Sequence, residues 1–177
     1  MISLLAVTGM RIGEAIALDD ADFDPASGIL TIRHGRFGKA RLLPLHATTT
    51  TAPSAYQQTR DRLLPRRASD ALLVSSAGTR LCYDRTCHTF HRLAIQAGLT
   101  PRSAACRPRI HDLRHSFAVA SLLDCYRAGG DAQALLPRLA TYLGHADPKH
   151  TFWYLTGAPE LLARAAGRLE TRPGGNT

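Results

Sequence analysis

Residues of three chemical kinds recur at close spacing in the C-terminal half of the chain. His111, Arg114 and His115 stand in R-I-H-D-L-R-H-S-F-A, His145 follows in Y-L-G-H-A-D-P, and Tyr154 comes nine residues after it in K-H-T-F-W-Y. Far upstream, Arg11 and Glu14 lie in T-G-M-R-I-G-E. Guanidinium groups grip phosphate oxygens through paired N–H donors, and imidazoles donate or accept protons near neutral pH. A phenol becomes a nucleophile once its proton is removed. Together these are the groups needed to hold a phosphodiester and attack it without a metal ion.

Short helices and loops must position them. Arg11 to Leu18 reads as one or two helical turns with Ile12, Ala15 and Ile16 inward and Thr8 as N-cap, after an apolar segment Ile2 to Val7 broken at Thr8-Gly9. Arg11 and Glu14 are three apart and share a helical face, so the carboxylate can orient the guanidinium. The same spacing also describes an ordinary surface pair. A helix from about His111 to Arg127 places His111, Arg114 and His115 within one turn, turns Phe117, Val119, Leu122 and Leu123 inward, and ends at Gly129-Gly130. Imidazole and guanidinium then reach one phosphate from neighbouring positions. Pro137 is predicted to open a short helix that stops at Gly144, which delivers His145 from a loop. Asp147-Pro148 resets the chain into a helix carrying Phe152, Trp153 and Tyr154, the first two read as core or interface filling. Pro159 begins an amphipathic helix to about Leu169 with an apolar stripe through Leu161, Leu162 and Ala165.

Between the two motifs, Asp19 to Asp24 and Pro25 to Gly28 read as turns. Ile29 to Ile32 and Arg41 to Leu45 read as two strands of a β-hairpin around the glycine-bearing loop Gly35 to Lys39. A helix from about Thr48 to Leu64, with Tyr56, Thr59 and Leu63 on one side, leads to the basic loop Pro65 to Ser69, read as surface. Leu72 to Val74 and Thr79 to Leu81 flank a turn. A helix from Asp84 to Ala97, stopped at Gly98, displays Arg85, His88 and Arg92 as a basic stripe, and Thr100 to Pro108 is an irregular loop.

From Thr8 to about Leu169, the T-G-M-R-I-G-E segment, H-D-L-R-H-S-F-A, L-G-H and the offset of Tyr154 together resemble the catalytic domain of the tyrosine recombinases, the phage-integrase family. The resemblance implies an α+β fold, mainly α-helical, with a small antiparallel β-hairpin or sheet at one edge. It implies a catalytic domain over residues 1–170, without the family's opening helix and N-terminal core-binding domain, and a disordered tail over 171–177. The implied activity is site-specific DNA recombination or integration through a 3′-phosphotyrosyl intermediate formed by Tyr154, with no cofactor and no metal. Arg11 and Arg114 would neutralise the non-bridging oxygens, Glu14 would hold Arg11, His111 would assist deprotonation of Tyr154, and His145 would hydrogen-bond the phosphate. The family's general-acid lysine sits on a β-hairpin. Counting back from R-L-L-P-L, its place falls on Arg36, with Lys39 three residues on, and both are candidates; a lysine releases a proton more readily than an arginine. The implied partners are double-stranded DNA and a second protomer, homo- or hetero-oligomeric, reached through the helix 159–169; cis packing of that helix is the alternative. A DNA-binding remnant without catalysis and a type IB topoisomerase-like relaxing enzyme share the same residues as further readings.

Composition is consistent with such a partner. The 177-residue chain carries a formal charge of +8, and Lys39 and Lys149 are its only lysines, so the basic side is arginine, suited to bidentate phosphate contacts. A solvated basic face would show the same charge. A hydrophobic content of 45% and no apolar run near about 18 residues fit a globular domain rather than a membrane span. The opening residues do not read as a secretory signal, so a cytoplasmic location is expected. Cys82, Cys87, Cys106 and Cys125 have neither C-x-x-C nor zinc-finger spacing and read as free thiols.

Overall fold

The computed structural model describes residues 1–35, 38, 40–101, 103 and 106–144. Arg36, Lys39, His145, Tyr154, the helix 159–169 and the tail lie outside the described residues. The chain divides into two compact units, Met1–Arg114 and His115–Thr177.

The first unit opens with helix α1, Ile2–Thr8, where the sequence reading has only an apolar segment. Thr8 is therefore a helix C-terminal residue and not an N-cap. Its hydroxyl donates back to the Leu4 carbonyl at 2.6 Å and accepts the Met10 N–H at 3.3 Å. Gly9 ends α1 in the left-handed conformation, φ 61°, with its N–H on the Leu5 carbonyl; only glycine adopts this without a Cβ penalty. Helix α2, Ile12–Ala17, follows at once with Arg11 as its N-cap.

The predicted turn Asp19 to Asp24 is a 3-10 turn, Asp20–Asp22, running into a short strand β1, Phe23–Asp24. Strands β2, Ile29–Ile32, and β3, Arg41–Pro44, form the expected hairpin, and β1 extends it to a three-stranded antiparallel sheet in the order β1-β2-β3. The register pairs Phe23 with Leu30, Leu30 with Leu43, and Ile32 with Arg41. Alternation gives the sheet one buried face, holding Phe23, Leu30, Ile32 and Leu43, while Leu42 points the other way and is 61% exposed. Arg41 lies on the buried face.

Helix α3, Ala47–Leu63, matches the prediction, although its inward residue is Arg60, 4% exposed, and Leu63 is exposed. Arg60 donates to Asp20 Oδ1 at 2.7 Å and to the carbonyls of Ala71 and Leu72 at 3.2 and 2.7 Å, tying α3 to the 3-10 turn and to the buried run Ala71–Leu73. Arg67, from the loop read as surface, also pairs with Asp20. The expected strands around Ser75 to Gly78 reduce to a single bridge between Val74 and Arg80. Helix α4, Tyr83–Gln96, ends before Gly98 as predicted, and Arg85, His88 and Arg92 are exposed.

Helix α5, Asp112–Arg127, spans the division between the units. Within the second unit it supplies Ala118, Leu122 and Leu123 to a core shared with Ala132, Leu136, Leu139 and Leu143 of helix α6, Ala132–Leu143. Phe117 stacks on Tyr142 with centroids 5.7 Å apart. Helix α6 begins five residues before Pro137, because the Asp131 side chain accepts the Gln133 N–H and caps it there; Pro137 lies inside the helix. Its end at Gly144, left-handed with φ 69°, is the predicted one.

Candidate active site

The first unit brings together four of the sequence-selected residues, and each owes its place to local chain chemistry. At the start of α2 the Glu14 carboxylate reaches back to the N-cap, accepting the Arg11 backbone N–H at Oε2 over 2.9 Å, as a capping-box residue does. The same carboxylate accepts Arg11 Nη1 at Oε1 over 3.0 Å. Glu14 thus holds both the backbone and the side chain of Arg11, as its spacing suggested.

Arg114 enters from the first turn of α5 and is only 2% exposed. Its Nη1 donates to the carbonyl of Gly9 at 2.8 Å. The left-handed turn at Gly9 is what presents that carbonyl, two residues ahead of Arg11. One tripeptide therefore anchors Arg114 and carries Arg11. His111 sits in the turn leading into α5, where its carbonyl accepts the Arg114 N–H at 3.1 Å and Asp112 caps the turn by accepting the Arg109 N–H at 2.8 Å.

The electrostatics follow from this placement. Burial alone would raise the Glu14 pKa, but hydrogen bonds from Arg41 and from the Arg11 backbone, with the charges of both guanidiniums, outweigh it and hold the carboxyl below its usual range. His111 is exposed as a residue, but partial desolvation of its ring, reinforced by the positive charges of Arg114 and Arg11 against the weaker pull of Asp112, holds its pKa below the usual imidazole value. A neutral imidazole next to two guanidiniums can accept a proton while the guanidiniums carry anionic oxygen.

Arg41 is the residue that sequence reasoning missed. It donates Nη1 to Glu14 Oε1 at 2.9 Å and Nη2 to Glu14 Oε2 at 2.7 Å, a bidentate pair across 27 residues. The signal for it is the strand alternation in R-L-L-P: Arg41 shares a face with Leu43, and a charge on the buried face of a strand requires a buried partner. Among the eight residues singled out from the sequence, Arg11, Glu14, His111 and Arg114 are thus placed, while Arg36, Lys39, His145 and Tyr154 lie outside the described residues.

Residues 1–160 match the model of the phage integrase family. The chain belongs to that family. This phage integrase family member is 44% identical over 97% of its length to a putative integrase/recombinase, y4rB, of Sinorhizobium fredii, of which it covers 55%. It is 33% identical over 92% of its length to the tyrosine recombinase XerD of Caulobacter vibrioides, of which it covers 50%. The chain spans about half the length of the curated relatives it matches. Its fold superposes on the XerH site-specific recombinase bound to palindromic difH substrate in a post-cleavage complex, with a TM-score of 0.70, 27% identity and coverage of 96% of this chain and 44% of that one. The mainly helical architecture with a small antiparallel sheet is therefore that of tyrosine recombinase catalytic domains.

Proposed function

We propose that this chain is the catalytic portion of a site-specific DNA recombinase that cuts and rejoins DNA through Tyr154. The observation that carries the reading is that Arg114 grips the Gly9 carbonyl two residues from Arg11, whose guanidinium Glu14 holds, with His111, an imidazole of lowered pKa, in the turn before Arg114. Two fixed guanidiniums suit the two non-bridging oxygens of one phosphodiester, whose charge grows as a fifth oxygen approaches phosphorus.

In this reading the Tyr154 hydroxyl oxygen attacks phosphorus and the bond from phosphorus to the 5′ oxygen breaks. The phenolic proton passes to His111. The departing 5′ oxygen takes a proton from Lys39 or Arg36, while His145 hydrogen-bonds the phosphate. The product is a 3′-phosphotyrosyl link and a free 5′-hydroxyl. Attack by a 5′-hydroxyl of a partner strand reverses every step, so the phosphodiester energy is retained in the covalent link. Residues 1–170 form the catalytic domain in this reading, and the helix 159–169 docks on a neighbouring protomer on double-stranded DNA.

The test is incubation of the purified chain with a nicked suicide duplex, wild type beside Tyr154→Phe, followed by a denaturing gel. A covalent protein-DNA band in wild type alone is the expected result. Its absence on DNA that the protein demonstrably binds would replace the recombinase by a non-catalytic DNA-binding protein.

A further inference from the structure

We propose that Arg41 is a positioning residue of the phosphate site, acting through Glu14 to fix the Arg11 guanidinium and to keep the cluster of the three groups net positive. The inference rests on the reading of Arg11 as a phosphate ligand. It arises from the geometry of one carboxylate shared by two guanidiniums. Arg41 engages both oxygens of Glu14, at 2.9 and 2.7 Å, and Arg11 Nη1 shares Oε1, at 3.0 Å. Glu14 is 5% exposed, and Arg41 is held in register by its cross-strand pairing with Ile32.

The charge balance explains why a second guanidinium is needed. A buried carboxylate facing Arg11 alone would form a one-to-one pair of zero net charge, and its two oxygens would compete with any phosphate for that guanidinium. With Arg41 taking the carboxylate in a fork, the cluster holds two positive charges against one negative. A planar fork also fixes the carboxylate plane, and so fixes where Arg11 Nη1 finds its acceptor. Arg41 contributes a second link by covalent connection. It stands two residues after Lys39 in the sequence, so anchoring it on Glu14 ties the hairpin that bears the general-acid candidates to the helix that bears Arg11.

The experiment uses the full chain and four variants: Arg41→Met, Arg41→Lys, Glu14→Gln and the double variant Glu14→Gln/Arg41→Met. The first readout is the side-chain Nε–Hε resonance of Arg11 in nitrogen-15 NMR, assigned by its loss in Arg11→Lys. The second is the rate of covalent-complex formation on the nicked duplex. In Arg41→Met the Arg11 signal is expected to shift and to exchange with solvent at least about tenfold faster, and the rate to fall by about 10–100-fold, by analogy with residues that orient metal ligands. The double variant should be no slower than Glu14→Gln, because Arg41 acts through that carboxylate. Arg41→Lys should recover only part of the rate, since an ammonium cannot span both oxygens.

An unmoved Arg11 resonance in a folded Arg41→Met protein would overturn the proposal, as would additive losses in the double variant. Where Arg41→Met does not fold, Arg41→Lys decides: a wild-type Arg11 resonance there discards the bidentate tie, and a shifted, faster-exchanging one upholds it. If the wild type itself gives no covalent band, the recombinase reading falls, and the Arg11 resonance still judges Arg41 by itself.

Discussion

Glu14 is one negative charge between two guanidiniums, and its ionisation governs both stability and the site. Removing the charge while leaving two largely buried arginines costs about 3 kcal/mol, by the usual penalty for breaking a buried ion pair. Glu14→Gln is therefore expected to lose about that much in urea unfolding at pH 7. Its folded pKa is depressed, so the stabilisation is fully present above the unfolded value of about 4.3 and fades as pH falls through the lower folded value. The gap between wild type and Glu14→Gln should accordingly narrow in acid, and a gap that stays constant from pH 7 to pH 3 would mean the carboxylate is not paired as described. His111 obeys a related rule. Its folded pKa is also depressed, so the unfolded chain binds more protons between the two values, and stability rises with pH across that window. An imidazole NMR titration of the native protein should place His111 below the ordinary 6.5, leaving it neutral and able to take a phenolic proton at pH 7. A midpoint at or above 6.5 would contradict the influence of Arg114 and Arg11.

Helices and strands explain how much of this could be read ahead of the structure. The hairpin, α3, α4, α5 and the glycine stops at Gly98 and Gly144 were legible because hydrophobic period and cap chemistry are local properties of the chain. Arg11 with Glu14, and His111 with Arg114, were legible because each pair is three residues apart across the start of a helix. Arg41 and Arg60 were not, since their partners lie 27 and 40 residues away and only the folded chain brings them together. Pro137 misled for the opposite reason: proline favours a first turn, but the cap at Asp131 is the stronger local instruction. Two substitutions probe these elements. Gly9→Ala forces a Cβ into the left-handed region, at a cost of about 1–2 kcal/mol, and should lower the melting temperature while also disturbing the carbonyl that Arg114 grips. Arg60→Ala strips Asp20 and the Ala71 and Leu72 carbonyls of their buried donor; a loss of about 3 kcal/mol in chemical denaturation is expected, against a change within about 0.5 kcal/mol for the exposed Arg85→Ala.

Across the whole chain, a charge of +8 carried almost wholly by arginine sets how a polyanion is met. Counterion release makes DNA affinity fall linearly with the logarithm of salt, by about 0.9 of a unit in slope per phosphate contacted. Arg114→Met should lower that slope by about one and weaken binding by a similar factor on any sequence, whereas a slope equal to wild type would remove Arg114 from the phosphate. The hydrogen bond from Arg114 to the Gly9 carbonyl spans 105 residues. Joining chain ends so far apart costs about 4 kcal/mol in loop entropy before any contact offsets it, so this link forms late. A ribosome makes Arg11, Glu14 and Arg41 long before it reaches Arg114. A nascent chain that stops short of Arg114 carries Arg11 and Glu14 without the guanidinium that grips Gly9. On the proposed reading, the pairing of residue 9 with residue 114 ties the phosphate site to completion of the fold.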